Sequence, residues 1–234
     1  MSRSARFVHL SDHDVDRGDA TARAAAAASA ALTGPLSRAD SAMLRRWADE
    51  DSDPRVRAAA LAALVRAGRG TTAREVWSAR RSDPASVVRR RAAELAPIVH
   101  QVSLRAVVEL LEDADWSVAE TAAWAVGEIA WSPTNRRRAT LRLAALATSH
   151  DDPLVREAAV AAIGALGEVS GLAAVLAATH DRPAIRRRAV LALAPFDGAE
   201  VDAALTRSLE DADWQVRQAA QDLLGVEVDA DRRG

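Results

Sequence analysis

The sequence contains no cysteine, no lysine and no tyrosine. Because lysine is absent, the 31 residues counted as lysine or arginine are all arginine. Without cysteine, disulfides, thiolate nucleophiles and cysteine-ligated metals are excluded, and a reducing compartment is expected. Aromatic residues make up only 3% of the chain. A core must therefore consist mainly of alanine, leucine and valine, whose small side chains favour close packing of helices over a β-sandwich or barrel.

Strong net charge and long apolar runs are also absent. The formal net charge is −2, which provides no general attraction to nucleic acids or anionic membranes. No segment approaches the roughly 18 apolar residues of a membrane span, and the opening MSRSARFVHLSDHDVDRGD lacks the apolar core of a signal peptide. We therefore expect a cytoplasmic protein with no membrane association.

A repeat dominates the remaining sequence. An apolar residue, usually followed by arginine, precedes an alanine four positions later, and an acidic turn such as DSDP, DADW or DDP comes before it. The apolar anchors of the six copies are Val56, Val88, Val118, Val155, Ile185 and Val216. They lie 32, 30, 37, 30 and 31 residues apart, a constancy that indicates repeated structural units.

Each copy has the features of a helical hairpin. The Asp-Pro pairs combine a helix-capping carboxylate with a residue that suits the first helical turn. Apolar residues then follow at helical period, as in Val155, Ala159, Ile163 and Leu166. Two helices of about 10 to 14 residues fill one period. The pattern predicts an all-α solenoid of about six hairpins, in which the repeated arginine pairs with an acidic turn of a neighbouring repeat.

The acidic turn, proline, Val-Arg and small residues resemble HEAT repeats of the short type first described in phycobilin lyases. The resemblance covers residues 36–225. Residues 19–35 contain a degenerate half-repeat, Ala22-Arg23 with Ala26, and are predicted to form an N-terminal capping helix. We expect residues 1–18 to be flexible and residues 226–234 to be a frayed tail.

The resemblance implies a non-enzymatic scaffold or adaptor that binds a protein segment on its concave face. It also leaves open an accessory enzyme subunit that handles a chromophore or other ligand, and a HEAT-like nucleic-acid-binding protein. HEAT-type deoxyhypusine hydroxylase binds two irons through His-Glu pairs, and no His-Glu dipeptide exists here. We predict no cofactor and no metal. His150 and His180, each followed by aspartate, are interpreted as equivalent turn residues that cap helices; a shared metal is the alternative.

In such hairpins the second helix lines the concave face, and the two positions after each Val-Arg point toward it. This places seven candidate partner-binding residues there: Arg90, Arg91, Glu120, Trp124, Glu157, Arg187 and Arg188. Trp124 lies one turn after Glu120, in the repeat whose arginine is replaced by Ala119. It is either an exposed anchor for a partner or a residue of the core between repeats.

The other tryptophans are assigned mainly to structure. Trp116 and Trp214 occupy matching places in two DADW turns and are expected to be packing residues, while Trp47 and Trp77 should lie in the core. Trp131 begins the insertion WSPTNRRR, where the repeat reaches 37 residues and a loop is expected.

Arginine triplets at residues 89–91, 136–138 and 186–188 raise the possibility of phosphate binding. The negative net charge and the absence of a basic stripe along successive repeats favour pairing with acidic turns instead.

Overall fold

The computed structural model describes residues 19–30, 32, 35–68 and 71–225. The segments 1–18 and 226–234, to which we assign a flexible start and a frayed end, lie outside these residues. The described part contains thirteen α-helices and no strand, which confirms the all-α prediction. No helix within these ranges is both long enough and apolar enough to cross a membrane.

The chain forms two compact units, which meet in sequence between Leu110 and Leu111. The helices of the first unit are α1 (Ala20–Ala30), α2 (Arg38–Glu50), α3 (Pro54–Ala67), α4 (Thr71–Arg80), α5 (Ser86–Leu95) and α6 (Leu104–Leu111). The last of them, α6, ends one residue beyond the boundary of the unit. Within it, α3 packs against α1, α2, α4 and α5.

The second unit contains seven helices. They are α7 (Trp116–Glu128), α8 (Pro133–Ser149), α9 (Pro153–Leu166), α10 (Leu172–Ala178), α11 (Pro183–Ala192), α12 (Ala199–Ser208) and α13 (Trp214–Leu224). Here α9 packs against both α7 and α11, and α11 packs against α13. In each unit the second helices of successive hairpins therefore stack side by side, and neighbouring repeats cover apolar surface on one another.

The core has the composition expected from the sequence. Small and branched side chains dominate it, and the tryptophans assigned to it are buried: Trp47 is 3% exposed and Trp77 is 2% exposed. The Trp77 indole donates a hydrogen bond to the backbone oxygen of Ala92 at 2.6 Å. This bond satisfies the polar atom that a buried tryptophan carries into the core.

Acidic turn residues cap most of the second helices. The side chains of Asp53, Asp115, Asp152 and Asp213 accept backbone N–H groups at the starts of α3, α7, α9 and α13. The expectation that an Asp-Pro pair caps and begins each helix is wrong for α5. This helix begins two residues after Pro84, and its N-cap, Ala85, has no side chain that can cap it. Local sequence therefore determines most, but not all, of these boundaries.

The insertion that lengthens the spacing between the third and fourth anchors to 37 residues is helical. We expected WSPTNRRR to be a loop, but Ser132 caps α8 and Pro133 begins it, and α8 extends over 17 residues. Proline at the first helical position lacks only an N–H that would be unpaired there anyway. Trp131 is buried just before the helix and donates a hydrogen bond to the Val126 oxygen at 3.0 Å. The loop prediction was wrong because a longer first helix accommodates the extra residues.

Arginine–aspartate pairs connect successive repeats, as predicted. Each arginine follows the apolar anchor of its repeat and reaches the acidic turn of the next. The pairs within the two units are Arg23–Asp51 at 2.7 Å, Arg57–Asp83 at 2.8 Å, Arg156–Asp181 at 2.8 Å and Arg186–Asp211 at 2.6 Å. Arg23, in the degenerate half-repeat, thus makes the same bond as the later arginines. We call these pairs the ladder.

One repeat replaces both members of a ladder pair. Ala119 occupies the arginine position, and His150 occupies the aspartate position of the following turn. His150 Nδ1 accepts the backbone N–H of Asp152 at 3.1 Å, the same bond that Asp211 accepts from Asp213 at 2.8 Å. His150 therefore makes the turn hydrogen bond of a ladder aspartate.

The structure separates two histidines that share a place in the repeat. His150 and His180 each lie five residues before the anchor of their repeat. His150 is the C-cap of α8, as expected, whereas Thr179 is the C-cap of α10, and Asp181, the residue after His180, pairs with Arg156.

Candidate functional site

Close contacts between second helices shape the second unit. A side chain added at Gly127 of α7 would place its Cβ 3.1 Å from the Cα of Ala162 in α9. A Cβ added at Gly164 of α9 would come within 2.7 Å of the Cα of Ala192 in α11. Both glycines let neighbouring backbones approach more closely than alanine would allow. The three helices consequently present a continuous surface made of their small residues.

A cleft of about 350 Å³ opens on this surface. Glu120 and Trp124 line it from α7, Leu154 and Glu157 from α9, and Arg188 from α11. Small residues complete the apolar part of the lining, namely Gly127, Ala158, Ala161, Ala162 and Ala165. Four of the seven residues predicted to bind a partner therefore meet at one place.

The structure places the Trp124 side chain at the surface. Its side chain is 47% exposed, whereas its neighbours Ala123 and Ala125 are fully buried. The alternative in which Trp124 belongs to the core between repeats is wrong. The indole stands on a rigid helix with part of its surface on the cleft, where burial by a ligand would remove a large apolar area from water.

Carboxylates outnumber cations in the cleft. Glu120, Glu128 and Glu157 contribute three acidic groups, and Arg188 contributes the single guanidinium. Arg188 Nη2 lies 3.6 Å from Glu157 Oε1, while its Nε is buried without a hydrogen-bond partner. Among the described residues, the hydrogen bond that Glu120 accepts comes from the hydroxyl of the adjacent Thr121, at 3.3 Å. The cleft thus carries an excess of negative charge.

The three other predicted residues do not line this cleft. Arg187 is half-buried next to Arg188 on α11. Arg90 and Arg91 lie on α5 in the first unit, where Arg90 is exposed. Arg91 pairs with Glu94 at 2.6 Å.

Two cleft residues were missed by the sequence reasoning. Leu154 precedes the anchor Val155 and is 48% exposed; it lies four residues before Ala158, so helical periodicity places it on the same face. Glu128 lies four residues after Trp124 and could have been found in the same way. The prediction covered the two positions after each Val-Arg and the residue one turn further, such as Trp124, but not the residue before the anchor or the following turn.

The expectation for the DADW tryptophans was wrong. Trp116 is 47% exposed and Trp214 is 65% exposed. Each is the first residue of its helix, where the side chain projects beside the acidic turn. Repetition of a residue indicates an equivalent position, and here that position faces solvent.

The residues described by the structure include no group of three or more His, Cys, Asp or Glu side chains arranged to hold a metal ion. The cleft itself presents an indole face, apolar alkyl surface, carboxylates and one guanidinium. These groups bind by contact, charge and hydrogen bonding.

Residues 104–183 and 140–225 match a family model described as HEAT repeats. Together they span 104–225, more than half of the 234 residues. No curated protein matches the sequence.

Solved structures of engineered repeat proteins resemble the chain. An engineered protein from a structural genomics programme is 21% identical, with a TM-score of 0.52, covering 85% of this chain and 95% of its own. A designed armadillo repeat protein in complex with the peptide (KR)4 is 18% identical, with a TM-score of 0.55, covering 78% and 97%. A second designed armadillo repeat protein is 19% identical, with a TM-score of 0.51, covering 83% and 96%. At these identities the likeness concerns the fold alone.

Proposed function

Because this chain belongs to the HEAT repeat family, we propose that it is a non-enzymatic scaffold that binds a segment of a partner protein across α7, α9 and α11. The observation that carries this proposal is the cleft, in which Trp124 stands half-exposed among small apolar residues and charged groups. Within the family, we assign the repeats to the short phycobilin-lyase type, on the recurring acidic turns and Val-Arg anchors.

The composition of the cleft suits protein recognition. Interfaces derive most of their binding energy from a few residues, among which tryptophan and arginine are prominent, surrounded by contacts that exclude water. Trp124 provides the apolar anchor, and Leu154 extends it from the neighbouring helix. Glu120, Glu157 and Arg188 are placed to determine which charges a partner must carry.

The fold supports the same proposal. The designed armadillo repeat protein that aligns with this chain was solved with the peptide (KR)4, so stacked helical repeats can hold an extended peptide. A stack of hairpins gives each repeat an equivalent exposed position, which lets successive repeats contact successive parts of a linear segment.

The proposal is tested by affinity capture from nuclease-treated lysate of the source cells. Wild type is compared with a cleft variant that combines Glu120→Arg, Trp124→Ala and Arg188→Glu. The matched control is Trp214→Ala, which removes an exposed indole outside the cleft. Circular dichroism must first show that all three proteins are equally helical.

We expect at least one protein to be retained by wild type and the Trp214 control, and lost by the cleft variant. Retention of the same proteins by all three would contradict the proposed binding surface. If wild type retains nothing above an untagged control, the scaffold proposal itself fails.

Nucleic-acid binding is a second candidate, favoured by one observation. The arginines at residues 136–138 are all exposed. In the described part of the chain, the ion pair near them joins Arg142 to Glu112. They are the fourth to sixth residues of α8, near the helix N-terminus, whose dipole also attracts phosphate. Binding to labelled duplex DNA or single-stranded RNA should then fall steeply with salt and be lost when all three become glutamine. Absence of salt-sensitive binding would remove this candidate.

A further inference from the structure

The cleft contains a line of alternating acidic and aromatic side chains that its role as an anchor does not explain. Glu120, Trp124 and Glu128 are spaced four residues apart on α7, which places them along one helix face. All three line the cleft. An indole face flanked on both sides by carboxylates is a strong local site for a cation, because the ring and both carboxylates attract positive charge.

The charges in the cleft remain unbalanced. Within the described part of the chain, the ion pair that lies in the cleft is Arg188 with Glu157, and its 3.6 Å separation is longer than a direct hydrogen bond. Glu120 and Glu128 therefore add two negative charges that the cleft itself does not neutralise. A bound cation would compensate for them.

From these features we infer that the cleft receives the side chain of an arginine in an extended, basic segment of the partner. This inference rests on the proposed scaffold function. The guanidinium lies against the Trp124 indole, with its donors directed at the carboxylates of Glu120 and Glu128. A guanidinium stacks on an aromatic plane and binds a carboxylate through two parallel hydrogen bonds.

The apolar lining distinguishes arginine from a small hydrated cation. Leu154 and the alanines of α9 provide a surface for the aliphatic stem of a long side chain. Lysine shares such a stem, but its compact ammonium is more strongly hydrated and cannot stack as a plane. The combination of indole, paired carboxylates and alkyl surface therefore favours arginine.

The openness of the cleft indicates that its occupant is one residue of a longer segment. Trp124 and Leu154 are each about half exposed. Pockets for free small molecules enclose about 70–90% of their ligand, whereas an open cleft suits one residue of a longer segment.

The test begins without assuming the ligand. A random peptide display library is selected on wild type, and the enriched peptides are synthesised with a fluorescent label for anisotropy titrations. Each is remade with its conserved basic residue changed to lysine and to glutamine. Binding is measured to wild type, to Glu120→Gln/Glu128→Gln and to Trp124→Leu. The control is Glu200→Gln/Glu210→Gln, which removes two exposed carboxylates outside the cleft.

We expect arginine-containing peptides to be enriched. Their dissociation constants should rise about tenfold to a hundredfold with the Glu120/Glu128 variant and with glutamine in the peptide, and remain within about twofold for the control. Lysine in the peptide should weaken binding by about fivefold or more.

Each other outcome overturns a defined part of the proposal. If lysine replaces arginine without loss, the guanidinium assignment is wrong. If enriched peptides lack basic residues but still require Trp124, the arginine inference fails and the scaffold proposal survives. If no enriched peptide depends on any cleft residue, both fail. If free N-acetyl-arginine amide binds as tightly as the peptides, the cleft is a small-molecule site.

Discussion

Two neighbouring contacts between second helices of the second unit are built differently. We call each such contact, with the turn beside it, a joint. Between α9 and α11, Arg156 and Asp181 form a ladder pair at 2.8 Å. Between α7 and α9, the corresponding positions hold Ala119 and His150. The histidine keeps the turn hydrogen bond of the aspartate that it replaces, so only the charge pair is missing. Both members are replaced together, so neither an arginine nor an aspartate is left there without its ladder partner.

The two joints nevertheless share a close contact between glycine and alanine. Gly127 meets Ala162 in the joint without a charge pair, and Gly164 meets Ala192 in the joint with one. Small-residue packing is therefore common to both joints, while the ion pair is exchangeable. This agrees with the general finding that buried ion pairs can be replaced by apolar groups at little loss, provided that both partners are removed. The joint without the pair also carries Trp124 and Glu120.

Removing one member of the most buried ladder pair should have the largest effect. In the first unit, the side chain of Asp83 is 1% exposed and that of Arg57 is 12% exposed. Asp83→Ala should lower the free energy of unfolding by about 3 kcal/mol, because it leaves a guanidinium without its carboxylate. Asp211→Ala, at a pair whose side chains are 14% and 20% exposed, should have a smaller effect. Urea unfolding followed by circular dichroism measures both.

A double variant serves as the control. Arg57→Ala with Asp83→His recreates the residues of the α7–α9 joint and should destabilise by only about 1 to 2 kcal/mol. If the double variant is as unstable as Asp83→Ala, the loss does not arise from an unpaired charge, and the contrast between the two kinds of joint is wrong.

The glycine contacts should show the next largest effect. Gly164→Ala places a methyl group 2.7 Å from the backbone of Ala192, so we expect a net destabilisation of about 1 to 2 kcal/mol despite the better helix propensity of alanine. Gly127→Ala meets Ala162 at 3.1 Å, and its clash and propensity effects should cancel to within about 0.5 kcal/mol. Thermal and urea unfolding of the two variants should separate them. Equal effects would show that the joints tolerate expansion equally.

The sequence predicts the repeated parts of this molecule well. Constant spacing of the Val-Arg anchors identifies the hairpins. The same spacing places residues at equivalent positions of successive repeats on the same face of their helices. For that reason the repeat pattern alone assigns Glu120, Trp124, Glu157 and Arg188 to one face, although they lie far apart in sequence. The pairing of Arg156 with Asp181 followed from the same regularity.

Departures from the repeat are harder to predict. The exposure of Trp124 depends on how neighbouring helices cover it, which is a tertiary property. Trp116 and Trp214 occupy a repeated position, but the pattern does not say whether that position is covered. The insertion after Trp131 contains Ser-Pro and could have formed either a turn or a helix start; Ser132 capped a longer helix. The equivalence of His150 with aspartate becomes clear only when the turn hydrogen bonds are compared.

Restoring the missing ladder pair should have a modest stabilising effect. Ala119→Arg and His150→Asp each introduce a single uncompensated charge, whereas the double variant recreates the pair found at Arg156 and Asp181. We expect a coupling energy of about 1 kcal/mol in favour of the double variant, measured from the unfolding free energies of the two single variants, the double variant and wild type. Additive effects would show that this joint cannot accommodate the pair, and that its loss followed from the local geometry.

The smallest effect should appear in the pH dependence of the ladder. A hydrogen bond from Arg186 holds the pKa of the Asp211 carboxyl below its ordinary value of 3.8, against the opposing effect of burial. Because the unfolded chain then takes up a proton more readily than the folded one, the pair stabilises the fold fully above the ordinary pKa, and this contribution is lost as the pH falls through the lowered pKa.

The double variant Arg186→Met with Asp211→Asn removes the titrating pair. The stability of wild type should fall more steeply than that of the variant between about pH 5 and about pH 2, with a difference below about 1 kcal/mol because both side chains retain some contact with solvent. Urea midpoints measured across this range provide the comparison. Parallel curves would mean that the carboxylate titrates alike in the folded and unfolded chain, and that the ladder contributes geometry to the joint without a net electrostatic gain.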